Sequence, residues 1–242
     1  MEEVLNSLID LNCFSIIMPH NIPKSLQDDH LKDTIISVNF RTNYNRDFIH
    51  GRIMELLAGN EGVIAPGADS LNKPEALLYG LDNFRIRLDR SQIQFNCITN
   101  YQGWERYGAQ VKHILQSLAD VLVFQNVQIR YISVFEGIRI FEHINGTIKI
   151  NAFPPILGEE YAFSVNVVNS GKPEMTAYAT VRLTNDKAIA PQIKASFVDI
   201  SLESKTDNTN LQEVLEFIHT YEKLLFFSII TEEFKNRLGP VY

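Results

Sequence analysis

The run MTAYATVRL at 175–183 holds the densest set of side chains able to do chemistry. Strand alternation puts Thr176, Tyr178, Thr180 and Arg182 on one face and Met175, Ala177, Ala179 and Val181 on the other. Neighbouring runs can add Ser164 and Asn166, and Lys194 and Ser196. Hydroxyls, an amide, a phenol and cations on one sheet face suit an anion or a small polar ligand, with Tyr178, Arg182 and Lys194 as the acting groups. Any water-facing antiparallel sheet carries a similar mixture. A second set is cationic: Arg85, Arg87 and Arg90, and also Arg41, Arg46 and Arg52, interrupted by Asp89 and Asp47. Such clusters could neutralise nucleic-acid phosphates. Arg85 and Arg87 also alternate with Phe84, Ile86 and Leu88, which is how the wet face of a strand reads.

Other chemistry lacks the necessary spacing. The six histidines form no H-x-x-x-H or H-E-x-x-H pattern and pair with no cysteine, so the sequence implies no metal. No phosphate loop, G-x-G-x-x-G or G-x-S-x-G elbow is present, so no cofactor and no catalytic residue is expected. Glu159 and Glu160 are adjacent, and on a strand they would point to opposite faces. Cys13 and Cys97 are too few for a disulfide framework, which points to the cytoplasm.

Composition bounds the rest. The chain has 242 residues, 45% hydrophobic and 21% charged, with a net charge of −7. Its mean hydropathy of −0.08 and pI of about 5.4 belong to an ordinary globular protein. No apolar run is long enough to span a membrane, and the opening Met1-Glu2-Glu3 is acidic where a secretory signal would be basic. The acidic balance weighs against nucleic acid as a partner, unless the cations gather on one patch.

The elements that must position these groups follow from periodicity. Residues 1–30 read as an extension, with a short amphipathic helix at 4–11 followed by Pro19 and Pro23; residues 31–242 read as one domain. A strand at 34–40 precedes a helix at 45–57, whose apolar side holds Phe48, Ile49, Ile53, Leu56 and Leu57. The Gly- and Pro-rich stretch at 59–75 is a long loop. Runs at 76–81, 84–88 and 91–99 form a meander. A helix at 104–122 carries Trp104 in its first turn, where the ring could pin it to the strands. Further strands fall at 127–135, 138–144, 147–153, 161–168, 175–183 and 193–202, with Asn145-Gly146 as a hairpin turn. A helix from 209 to 238 opens with Thr209-x-x-Gln212 in capping-box form and stops at Gly239-Pro240.

Within that helix, LLFFSII at 224–230 is apolar on all sides. One sheet covers about half of a helix circumference, so Leu224, Phe226, Phe227 and Ile230 are candidates for an interaction surface.

Three segments carry a resemblance. The helix start Tyr101-Gln102-Gly103-Trp104-Glu105-Arg106-Tyr107, the strand Ile129-Arg130-Tyr131-Ile132, and Phe227-Ser228-Ile229-Ile230-Thr231-Glu232-Glu233-Phe234 fall in an order that resembles an uncharacterised, sporadically distributed bacterial family of similar length. The resemblance covers roughly residues 19–239 and rests on packing positions. The chain departs from the family pattern in its N-terminal extension and at Ser133-Val134. The resemblance implies a mobile-element or defence-type setting and supplies no catalytic residue.

The expected architecture is α+β: a twisted antiparallel sheet of about eight or nine strands with helices at 104–122 and 209–238 on one face, a pattern that could conceal an internal duplication with each half ending in a long helix. The expected function is non-catalytic binding or assembly through a protein partner or a homodimer, with no membrane involved. The alternatives are an enzyme or ligand binder using the polar sheet face, and a nucleic-acid binder using Arg85, Arg87 and Arg90.

Overall fold

The computed structural model describes residues 21–27, 30–57, 77–80, 85–97, 101, 103–145 and 160–242. The helix expected at 4–11, the loop at 59–75 and the strand at 147–153 lie outside the described residues. In chain order come β1 (Ser25–Leu26), β2 (Leu31–Arg41), α1 (Arg46–Leu57), β3 (Leu77–Gly80), β4 (Arg85–Leu88) and β5 (Gln92–Cys97). Then follow α2 (Trp104–Ser117), β6 (Val123–Glu136), a 3-10 turn (Ile140–Glu142), β7 (Glu160–Asn169), β8 (Lys172–Ala190) and β9 (Ile193–Lys205). The chain closes with α3 (Leu211–Ile229), α4 (Glu232–Arg237) and β10 (Pro240–Val241).

The fold is α+β, as the periodicities imply. Eight strands form one sheet in the order β3-β4-β5-β2-β6-β9-β8-β7, and β1 pairs with β10 in a second. The large sheet reads the same outward from its centre: a first strand at the middle, a connection to the edge, and a three-strand meander back. Each such series ends in a long helix, α2 or α3. The two halves therefore share one topology, the arrangement an internal duplication would leave. Among the described residues no helix is long and apolar enough to cross a membrane.

The chain divides into two compact units, one of residues 33–130 and 203–216, the other of residues 131–202 and 217–242 with the chain preceding 33. In the first, alternation sends Ile36, Val38 and Phe40 of β2, Ile86 and Leu88 of β4, and Ile93, Phe95 and Cys97 of β5 into the core. Tyr107, Val111 and Leu115 of α2 and Ile49, Ile53 and Leu57 of α1 are buried in the same unit. The Tyr107 hydroxyl lies 2.9 Å from the Phe95 carbonyl and 3.3 Å from that of Thr34, tying α2 to the backbone of two paired strands. Burial pushes this phenol well above its ordinary range, so it stays a donor. Phe48, expected on the apolar side of α1, is exposed and stacks on Tyr44 instead, with centroids 4.6 Å apart.

Several expected elements change where distant groups capture the backbone. The helix from Trp104 stops at Ser117, not 122, and the Asn208 side chain donates to the Ala119 and Leu122 carbonyls just beyond it. No strand forms at 138–144. Gly137 turns the chain at φ 68°, and Ser196 Oγ then donates to the Ile138 carbonyl and accepts from the Ile140 N–H. The Asn145 amide donates to the carbonyls of Ser228 and Ile230, and the hairpin turn expected at Asn145-Gly146 runs into residues outside those described. The C-terminal helix is two helices. Thr231 caps α4 by accepting from the Phe234 N–H, while Ile230 bridges to Ile144. At the start of α3, Asp207 rather than Thr209 does the capping, accepting from the N–H groups of Thr209 and Asn210.

In the second unit, the core side of β7 and β8 presents Val165, Val167, Met175, Ala177, Ala179 and Val181, and β9 adds Val198, Ile200 and Leu202. Ile218, Leu225 and Ile229 form a fully buried stripe on α3, and Glu222 stands in the middle of that stripe. Phe234 of α4 closes the unit, stacked flat on His143 at 4.6 Å and edge-on to Phe135 at 5.4 Å.

Candidate functional site

The polar face of the first unit is built from the residues that alternate with its core. Registry lines up Arg85 with Asn96 and then Ile35, and Arg87 with Gln94 and then Ser37. Gln92 pairs with Asn39 in the next row, and its amide donates to Asn39 Oδ1 at 2.9 Å. Asn96 donates to both carboxylate oxygens of Asp33, at 3.3 and 3.5 Å. Burial raises the Asp33 pKa, opposed by the Asn96 bond and by the Arg130 guanidinium on β6. Asn126 donates to Glu203 at 2.6 Å. The result is a band of carboxamides on β5, β2 and β6, with arginines on β4 and β6 at its margins. Of the three arginines singled out in the sequence, Arg85 is exposed and Arg87 pairs with Asp89 at 3.4 Å. Arg90 sits in the β4–β5 turn, its N–H bonded to Asp89.

The ligand-binding trio is not brought together. Tyr178, Thr180 and Arg182 do share a face of β8, opposite Asn166, Ser164 and Ala162 of β7, and Ser164 and Thr180 hydroxyls lie 3.2 Å apart. Lys194, however, stands two residues from the β8–β9 turn, whereas Tyr178 is twelve residues up the other strand. At about 3.3 Å per residue that separates them by about 30 Å, too far for one small ligand. Ser196 is not on the polar face either; it is fully buried. The expected grouping fails because β8 and β9 are far longer than the apolar alternation showed.

The apolar run at 224–230 is also corrected. Leu224, Phe227 and Ile230 are buried and Phe226 is half-buried, so they do not form an exposed surface. The turn at 140–145 lies against the end of α3: the Asn145 N–H donates to Ile229, and the Thr231 N–H to His143.

Trp104 pins α2 to α3, not to the strands. Its indole N–H donates to Glu216 Oε2 at 3.0 Å, and Lys112 sits 5.6 Å over the ring while pairing with the other oxygen of Glu216. The ring lies across Gly108, where an added Cβ would come within 2.8 Å of it. Ordinarily Gly→Ala inside a helix stabilises by about 1 kcal/mol. Here Gly108→Ala should lower stability by about 1 kcal/mol, because the ring must lift off both partners. In a Trp104→Ala background the same change should again stabilise by about 1 kcal/mol. Urea unfolding of the four proteins checks the reversal of sign.

Sequence reading missed the hairpin arm. Residues 187–194 are all exposed, and Ile189 and Ile193 are each 44% exposed on either side of Pro191-Gln192. Asp186 at φ 49° and Gln192 at φ 67°, the two non-glycine residues with positive φ among those described, both lie in this arm. Its base is firmly held. Ser196 Oγ bonds Asn185 Oδ1 at 3.1 Å, the Phe141 N–H donates to the same oxygen at 3.2 Å, and Arg139 pairs with Asp186 at 3.2 Å. The only signal in the sequence was KAIAPQIK, a Pro-initiated turn with isoleucines on both sides.

Among the described residues no three His, Cys, Asp or Glu side chains come together as metal ligands. Compared with known proteins, the chain matches no family model and no curated protein.

Proposed function

We propose that this protein is a non-catalytic binding or assembly protein that acts through a protein partner, engaged by the tip of the β8–β9 hairpin. The carrying observation is an apolar tip held out on an ordered base: Ile189 and Ile193 stay half in water while Asn185, Ser196 and Arg139 fix the strands beneath them. Burying the remaining surface of each isoleucine would contribute about 1 kcal/mol. A pre-ordered arm spends little of that on restricting its own motion. Positive φ at Gln192, where glycine would sit without strain, is a further sign that the turn geometry serves something beyond folding. The mobile-element or defence-type setting belongs to this proposal and rests on the family resemblance alone.

The test is an Ile189→Asp/Ile193→Asp variant compared with the parent. Both side chains are already exposed, so urea unfolding should agree within about 0.5 kcal/mol. Quantitative co-purification from the native host should recover a stoichiometric partner with the parent and lose it with the variant. If the partner is a second copy, sedimentation should show a concentration-dependent dimer that the variant abolishes. An unchanged set of co-purifying proteins together with unchanged sedimentation would overturn the proposal.

A further inference from the structure

We infer that the polar face of the first unit, carried by β4, β5, β2 and the first part of β6, is a binding surface for duplex DNA. This goes beyond the partner reading and is independent of the hairpin arm. The argument starts from charge. Among the described residues, the cations of this face and its β4–β5 turn are Arg41, Arg85, Arg87, Arg90 and Arg130. The carboxylates among them are Asp33 and Asp89. The face is net positive in a chain whose net charge is −7, so charge is segregated onto the surface where a polyanion would need it.

Arrangement narrows the polyanion. Strand order puts Arg85 and Arg87 on one margin, Gln92, Gln94, Asn96 and Asn39 in the middle, and Arg130 on the far margin beside Asp33. Three strand spacings of about 4.8 Å separate the margins by about 14 Å. That is close to the roughly 12 Å between phosphate rows across a major groove. Guanidinium groups suit phosphates, and the Gln94 carboxamide, between the engaged amides of Gln92 and Asn96, can present a paired donor and acceptor to a base edge. The strands of this face present no exposed aromatic ring among their described residues. Unpaired bases are usually held by stacking, so the surface fits a duplex better than a single strand.

Fluorescence anisotropy with a short labelled duplex, and with one of its strands alone, tests the inference on the full chain. About three phosphate contacts predict a salt slope near −2.7, or roughly a 40-fold loss of affinity between about 50 and 200 mM salt. Arg85→Ala/Arg87→Ala should weaken binding at least tenfold and make the slope shallower by roughly 2. Gln94→Ala should weaken binding without changing the slope, because an amide releases no counterion. Circular dichroism confirms that these surface variants stay folded. The inference is overturned by the absence of saturable duplex binding at about 50 mM salt. It is equally overturned by single-strand binding as tight as duplex binding, by no effect of the arginine pair or of Gln94→Ala, or by an equal loss from Arg182→Ala in the other unit.

Discussion

Replacing Glu222 with glutamine should raise the unfolding free energy at pH 7 by on the order of 3 kcal/mol, and the gain should vanish below about pH 4.5. Glu222 is 6% exposed in the middle of the buried stripe of α3, between Ile218 and Leu225. Burial pushes its carboxyl from 4.5 up to about 8, against a smaller downward pull from Lys223. The folded pKa therefore exceeds the unfolded one. Below about pH 4.5 both states hold the proton, and the residue carries no ionisation penalty. Between there and about pH 8 the folded state keeps a proton that the unfolded chain has released. Stability then falls by about 1.4 kcal/mol per pH unit, and above pH 8 the full loss persists. Glutamine keeps the shape and polarity of the protonated acid but cannot ionise, so it isolates this effect. Urea unfolding at pH 4.5, 6, 7 and 8.5 should give parent and variant curves that meet at the acid end and diverge upward. Parallel curves would mean that Glu222 ionises freely in the folded protein.

The same helix shows what could be read from the sequence and what could not. Strands β4 and β5 were legible because each wets one face, so Ile86 and Leu88, and Ile93, Phe95 and Cys97, alternate with polar neighbours. The start of α2 at Trp104 was legible from its apolar spacing. The places that failed are those where a remote side chain holds the backbone. Ser196, fifty-eight residues from Ile138, replaces an expected strand by a 3-10 turn, and Asn145 reaches the carbonyls that end α3. No local period encodes such bonds. The site was partly legible for the same reason. Arg85 and Arg87 were visible as one face of one strand, but the carboxamide band beside them depends on the order β4-β5-β2-β6, which alternation within a strand does not specify. The hairpin arm escaped because its residues 184–190 break the apolar alternation that marks a strand, although the strand continues through them to Ala190.

Phe227→Glu should abolish the folded state, whereas Ile193→Glu should leave stability within about 0.5 kcal/mol of the parent. The two residues are apolar and of comparable bulk, so composition does not separate them; burial does. Phe227 is 4% exposed and lies edge-on to Phe226 at 5.1 Å, in the segment whose C-terminal carbonyls are held by Asn145. Removing its ring forfeits roughly 3 kcal/mol or more of burial and packing. A carboxylate in its place adds a desolvation cost of several kcal/mol. Together these approach the whole stability of a domain, about 5–15 kcal/mol. Ile193, half in water at the arm, loses little when it becomes charged. Phe226 is half-buried, so Phe226→Glu should fall between the two. Thermal unfolding by circular dichroism, with size-exclusion chromatography of each variant, orders the three. A Phe227→Glu chain that stays folded and merely turns a dimer into a monomer would return the end of α3 to the surface of the protein. A chain that melts out places the apolar run at 224–230 in the core, and a partner surface must then be sought among side chains that stay exposed, Ile189 and Ile193 of the hairpin arm among them.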